Sequence, residues 1–350
     1  MKQAVTVPEK KKIAYLEALR IVACFFVIVN HTVMGEILVQ NPGGKKWLVL
    51  TAYFFLCKIA VPLYLMISGV LFLDHVDSYR KCFARIVRIV LDIVIFSLLY
   101  YVRSWYVNRF EFSFVEFLKL IARQHMTNAY WYLYLYLGLL IMLPLLQRFA
   151  AGMGRREYQY LLLLTVVFFG TMPILMHYIP GVGYHSLFTV AFLPVYVGIV
   201  FLGYYLANYV ELKRIYVAIS IVVLVVCVIF QVGATYLEYL RTPDDYMFFD
   251  DRTFLPITLS AAAVFYLARW IQTVIKSEHF WRTVVFVGGT TFGTYLLSDL
   301  LIELYTGFYI GLMSHMNIVC AVVVYQVVVF VTGTLITLVL KRIPYVKKLL

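Results

Sequence analysis

The sequence lacks charge, and it lacks any polar stretch long enough to fold as a separate soluble domain. Charged residues make up 14% of the 350 positions, hydrophobic residues 63%, and the mean hydropathy is +0.87. A soluble domain carries about 25% charged residues, so a water-soluble fold is excluded. Cysteine is also scarce. Cys24, Cys57, Cys82, Cys227 and Cys320 stand singly, each within or next to an apolar run. None shows the C-x-x-C or zinc-ligand spacing, so neither a disulfide framework nor a metal site is expected, and all five read as buried small apolar residues. No internal repeat is visible, which weighs against the repeated halves common among transporters.

What the chain does have is long apolar runs along its whole length. They predict an all-α, polytopic membrane bundle of about ten spans. These fall near 13–37, 47–73, 83–105, 128–149, 158–178, 187–207, 214–235, 253–275, 281–305 and 316–341. The basic start "MKQAVTVPEKKK" precedes an apolar segment with no A-x-A-like cleavage site, so it reads as the flank of an uncleaved first span. Lys and Arg collect at 10–12, in "RKCFARIVR", at 148–156, 213–214, 276–282 and in the tail "KRIPYVKK". That distribution predicts both termini on the cytoplasmic side. The net charge of +12 therefore needs no nucleic-acid partner. Topology and the anionic leaflet account for it, and a phosphate-bearing cytoplasmic substrate is a further reading.

Several spans carry polar residues that are costly in lipid. "LRIVACFFVIVNHT" holds Arg20 and His31 eleven positions apart, on nearly the same helix face and about 16 Å apart along the axis. An Arg fork suits a phosphate, and an imidazole accepts a proton near neutral pH. The structural alternative is a snorkelling Arg and a satisfied His. "KIAVPLYLMISG" places Lys58 four residues before Pro62, which breaks the backbone ladder there, and ends in Ser68 and Gly69, a pair that permits close helix approach. Arg85 and Arg88 share a face at the start of the third span, as an anion site or as ordinary positive-inside charge. His125, Asn128, Trp131 and Tyr132 crowd the outer end of the fourth span, as a polar outer site or an aromatic belt. Asp299 and Glu303 are four apart and need counter-charges, with Lys58 the candidate. Between spans, 106–127 reads as an amphipathic outer helix, and the acidic, aromatic stretch 236–252 as an acceptor-receiving or simply solvated loop.

Together these segments resemble the integral-membrane acyltransferase family 3. The resemblance rests on their order: Glu17, Arg20 and, ten residues on, His31; "VPLYLMISG" at 61–69, preceded by Lys58; Arg85 and Arg88; "HMTNAYWYL" followed by Pro144; and "FGTYLLS" at 292–298. Ser298 stands where the family often has His. The resemblance implies a single membrane acyltransferase domain over 1–350, without a fused hydrolase-like domain. On the same resemblance it would lie in a bacterial cell membrane, with a basic N-terminus at 1–12 and a basic tail at 342–350. It also implies transfer of an acyl group, acetyl being the expected one, from cytoplasmic acyl-CoA to a hydroxyl of a cell-envelope glycan or lipid-linked saccharide. His31 would be the base, with Glu17 holding a neighbouring Arg. Arg20, Arg85, Arg88 and Lys58 would hold the donor, and Ser68, His125, Trp131, Tyr132 and Asp299 would line the acceptor side. No permanently bound cofactor is expected beyond the acyl-CoA donor. The competing reading is an exporter or flippase of a surface saccharide, with the buried charges lining its path.

Overall fold

The computed structural model describes residues 9–183, 195–244, 246–251 and 253–350, with side chains described from Ala14 onward. The basic segment 1–12, the start of the expected span 187–207 and parts of the loop 236–252 thus lie wholly or partly outside the described residues. All regular structure among those described is helical: α1 (Glu9–Leu38), α2 (Lys45–Cys57), α3 (Ala60–Phe72), α4 (Tyr79–Asn108), α5 (Phe114–Arg123), α6 (Trp131–Gly152), α7 (Arg155–Thr165), α8 (Met172–Tyr178), α9 (Val195–Asn208), α10 (Arg214–Arg241), α11 (Leu255–Val274), α12 (Glu278–Gly288), α13 (Thr291–Leu304), α14 (Thr306–His315), α15 (Ile318–Leu340) and α16 (Pro344–Leu349). A π-helical turn, Val166–Thr171, joins α7 to α8.

Seven stretches among the described residues are long and apolar enough to cross a membrane, and α12 with α13 make an eighth if they form one broken span. The protein is multi-pass, but the expected count of ten is not reached. Two expected spans fall outside this set. One is α4, which carries Asp92 and Arg103 in its inner stretch and so costs more to bury in lipid. The other is α9, whose described part has only 14 residues.

The helices cluster into two compact units, each discontinuous in sequence. The first comprises Met1–Phe26, Asn41–Leu71 and Gly154–Thr291. Here the break expected at Pro62 is present. α2 ends at Cys57 and α3 begins at Ala60, because Pro62 has no N–H to offer the Lys58 carbonyl. Gly69 and Gly203 let α3 and α9 meet backbone to backbone: a Cβ on Gly69 would lie 1.9 Å from the Val200 carbonyl oxygen, and one on Gly203 would lie 2.2 Å from that of Met66. The small pair Ser68-Gly69 therefore serves packing, and the Ser68 hydroxyl donates to the Tyr64 carbonyl of its own helix at 2.9 Å.

The second unit comprises Val27–Gln40, Phe72–Met153 and Phe292–Leu350. α4 packs along α6. The expected outer amphipathic helix is α5, capped by the Ser113 hydroxyl, which accepts from the Glu116 N–H. Phe117 and Ile121 turn inward against Tyr101, while Glu116 and Lys119 pair on the exposed face. Four cysteines are buried as expected, but Cys320 is exposed, which corrects its reading as a buried residue. It sits in the first turn of α15.

Candidate active site

The second unit gives His31 a partner. Its Nδ1 lies 3.0 Å from Oδ1 of Asp299, and the two side chains are 18% and 12% exposed, so the pair is largely enclosed yet reachable. Asp299 is held from its other side as well, because the backbone N–H of Ala129, in the loop before α6, donates to Oδ2 at 2.9 Å. The carbonyl of the same Ala129 accepts from the Tyr295 hydroxyl at 2.5 Å. Tyr295 and Asp299 are one helical turn apart on α13, so the helix grips one loop residue by both backbone groups.

Two further tyrosines brace that turn. The Tyr100 hydroxyl donates to the Leu296 carbonyl at 3.0 Å and accepts from the Leu300 N–H at 3.0 Å. The Tyr130 hydroxyl also donates to the Leu296 carbonyl, at 2.8 Å. Tyr132 meets the Tyr295 ring edge-on at 6.4 Å. Beside His31, the Gln326 amide donates to the Thr32 hydroxyl at 2.8 Å, tying α15 to α1.

A carboxylate has no proton to give, so Nδ1 of His31 must carry the hydrogen of the His31–Asp299 contact. A neutral His31 then presents Nε2 as a free lone pair, in the tautomer a general base requires. Asp299 thus finds its hydrogen-bond partner in His31 and not in Lys58. The expected Lys58–Asp299 pairing is corrected, because Lys58 forms an ion pair with Asp250 in the first unit and lies 4.7 Å from the centre of the Phe54 ring. Glu303 pairs with Arg103.

Of the other sequence candidates, Glu17 and Arg20 meet in the first unit. The Arg20 Nη1 donates to Glu17 Oε1 at 2.5 Å, and Arg20 keeps a third of its side chain exposed while Glu17 is buried. Gly288 makes room for this carboxylate, since a Cβ there would sit 2.5 Å from Glu17 Oε2. In the second unit, Arg85 donates to Asp77 Oδ2 at 2.6 Å and stacks over Phe72. Arg88 donates through Nε and Nη2 to the Leu349 carbonyl, at 3.0 and 2.6 Å. Asp77 is a hub. Lys81 and His75 also approach it, and Gln147 both donates to its carboxylate and accepts from its N–H. Burial alone would raise its carboxyl, but bonds from Lys81, Gln147 and Arg85 outweigh that and hold it well below the usual carboxylate range. His125 is exposed, and Trp131 and Tyr132 are half-buried.

Residues 13–342 match the family profile described as an acyltransferase domain, that of acyltransferase family 3. The chain belongs to acyltransferase family 3. No curated protein and no solved structure matches the chain significantly. This acyltransferase is therefore an enzyme of the membrane, and its family profile covers nearly all of the chain. Ala129, Tyr100, Tyr130, Tyr295, Asp77 and Gln147 went unnoticed in the sequence. The three tyrosines are lost among the chain's 29, and Ala129 acts only through its backbone.

Proposed function

We propose that this acyltransferase carries an acyl group, acetyl being the expected one, from acyl-CoA to a hydroxyl of a cell-envelope glycan or lipid-linked saccharide, with His31 as the general base. The observation that carries the reading is the 3.0 Å contact between His31 Nδ1 and Asp299 Oδ1, with Asp299 itself fixed by the Ala129 N–H. Nε2 of His31 takes the acceptor's hydroxyl proton as its oxygen attacks the thioester carbonyl. The C–S bond then breaks, and the same proton passes to the departing CoA thiolate. Asp299, expected from the sequence to line the acceptor side, serves in this reading to orient His31 and to stabilise the imidazolium that forms.

Arg20, Arg85 and Arg88 are separate candidates for the CoA phosphates. Each guanidinium has five N–H donors, and the contacts described use only some of them. Trp131 and Tyr132 remain candidates for stacking on a saccharide, with His125 and Ser68 as weaker ones. On this reading the donor reaches its arginines from the cytoplasm of a bacterial cell.

The test is thiol release from acetyl-CoA by proteoliposomes supplied with envelope glycan. His31→Ala, with membrane insertion verified, should lower the rate by about 10²–10⁴-fold, the usual contribution of a positioned base. An unaltered rate excludes the base role. Replacing Arg20 should weaken binding of a CoA ligand to purified protein, and unchanged binding removes it from the donor site.

A further inference from the structure

Four buried side chains on α2 and α10, helices that pack together in the first unit, carry polar atoms that find no partner among the described residues, and none of them is used in the acyl-transfer reading. They are Trp47 Nε1, Thr51 Oγ1, both amide atoms of Gln231, and Thr235 Oγ1. Their residues are 0%, 0%, 1% and 0% exposed, so bulk solvent does not satisfy them.

The register places these atoms along one stretch of the paired helices. The Trp47 and Tyr236 rings lie 6.1 Å apart, which matches the start of α2 with the end of α10. Further along α2, Lys58 reaches Asp250, whose neighbour Phe249 packs on Phe230, back along α10. The two helices are therefore antiparallel. Thr51 lies about 6 Å inward from Trp47, and Gln231 about 7.5 Å inward from Tyr236, at 1.5 Å per residue. The indole N–H and Thr235 thus lie at the ring pair, and Thr51 and Gln231 one to two turns further along, toward the Lys58–Asp250 ion pair.

The set is neutral and contains both donors and acceptors. It has no charge to attract an ion, and its groups suit a small molecule that gives and takes hydrogen bonds at once. Buried polar groups of this kind are met by ordered water, which makes about three bonds per molecule, so five atoms call for roughly two waters. In a bilayer no lipid group could substitute. We propose that the α2–α10 seam is a hydrated site, holding internal water between the Trp47–Tyr236 ring pair and the Lys58–Asp250 ion pair.

Hydroxyl-radical labelling by synchrotron radiolysis of the full-length protein in nanodiscs, read by mass spectrometry, tests this directly, because radicals born in bound water mark the side chains beside it. Trp47 should be labelled several-fold faster than Phe201 and Phe265, which are equally buried. Labelling no faster than those two overturns the proposal. A second arm replaces Thr51→Val and Thr235→Val. If the seam holds water, Trp47 labelling falls several-fold and the melting temperature drops. If the seam is dry, removing two unpartnered hydroxyls leaves the melting temperature unchanged or raises it, which also overturns the proposal. Should the double variant fail to fold, the wild-type labelling ratio decides alone.

Discussion

Asp299 stands between His31 and the backbone of Ala129, with one carboxylate oxygen 3.0 Å from the imidazole and the other 2.9 Å from the amide nitrogen. Neither oxygen can serve its partner without fixing the other, so the ring orientation of His31 is coupled to the position of a loop. Asp299→Asn keeps the shape and exchanges an acceptor for a donor. The expected outcome is a fall in kcat of about two orders of magnitude, with KM for acyl-CoA little changed. A normal kcat in that variant would remove the orienting role.

Tyr295→Phe removes the hydroxyl that holds the Ala129 carbonyl, at a cost of about 1 kcal/mol for one buried hydrogen bond. If the clamp acts on Asp299, kcat should fall by about five- to tenfold. A merely structural role would lower the melting temperature and leave kcat per folded molecule intact.

Gly69→Ala and Gly203→Ala each push a Cβ into the backbone of the facing helix, where no side chain can swing aside. Each should cost about 1–3 kcal/mol as overpacking, or prevent assembly of the bundle. Gly138→Ala is the contrast, with nothing within 4 Å of its added Cβ. There the gain in helix propensity should leave stability unchanged or raise it by up to about 1 kcal/mol. Thermal unfolding in one detergent separates the three.

The Asp77 hub predicts an acid limb in stability. Its carboxyl is held below the usual range in the folded protein, so the unfolded chain binds the proton more readily. The stabilisation is fully present above the unfolded value, about pH 4, and is lost as pH falls through the folded one. Unfolding temperatures should therefore decline below about pH 4 in the wild type. Asp77→Asn should start lower at neutral pH and show a shallower decline. Equal slopes would mean that other carboxylates set the limb.

The family was legible in the order of short motifs along the chain, and the Arg20–His31 spacing and the Pro62 break were legible in helical geometry. Glu17 and Arg20, three apart on α1, meet as neighbours on a helix do. Asp299 was visible as a costly intramembrane carboxylate, but its partner was not. Lys58 was the candidate counter-charge, whereas it pairs with Asp250, far along the chain in a short loop helix. Periodicity fixes which residues share a helix face and says nothing about which two helices meet. The span count differs for two reasons: Asp92 and Arg103 stand within α4, and the span expected at 187–207 begins outside the described residues.

The grip on Ala129 has a consequence for how this enzyme can be dissected. The donor to Asp299 is a main-chain amide of a residue that is already alanine, so alanine scanning passes over it in silence. A chemical edit of the main chain would expose it, such as an ester in place of the 128–129 amide or Ala129→Pro. So would lengthening of the loop that carries it.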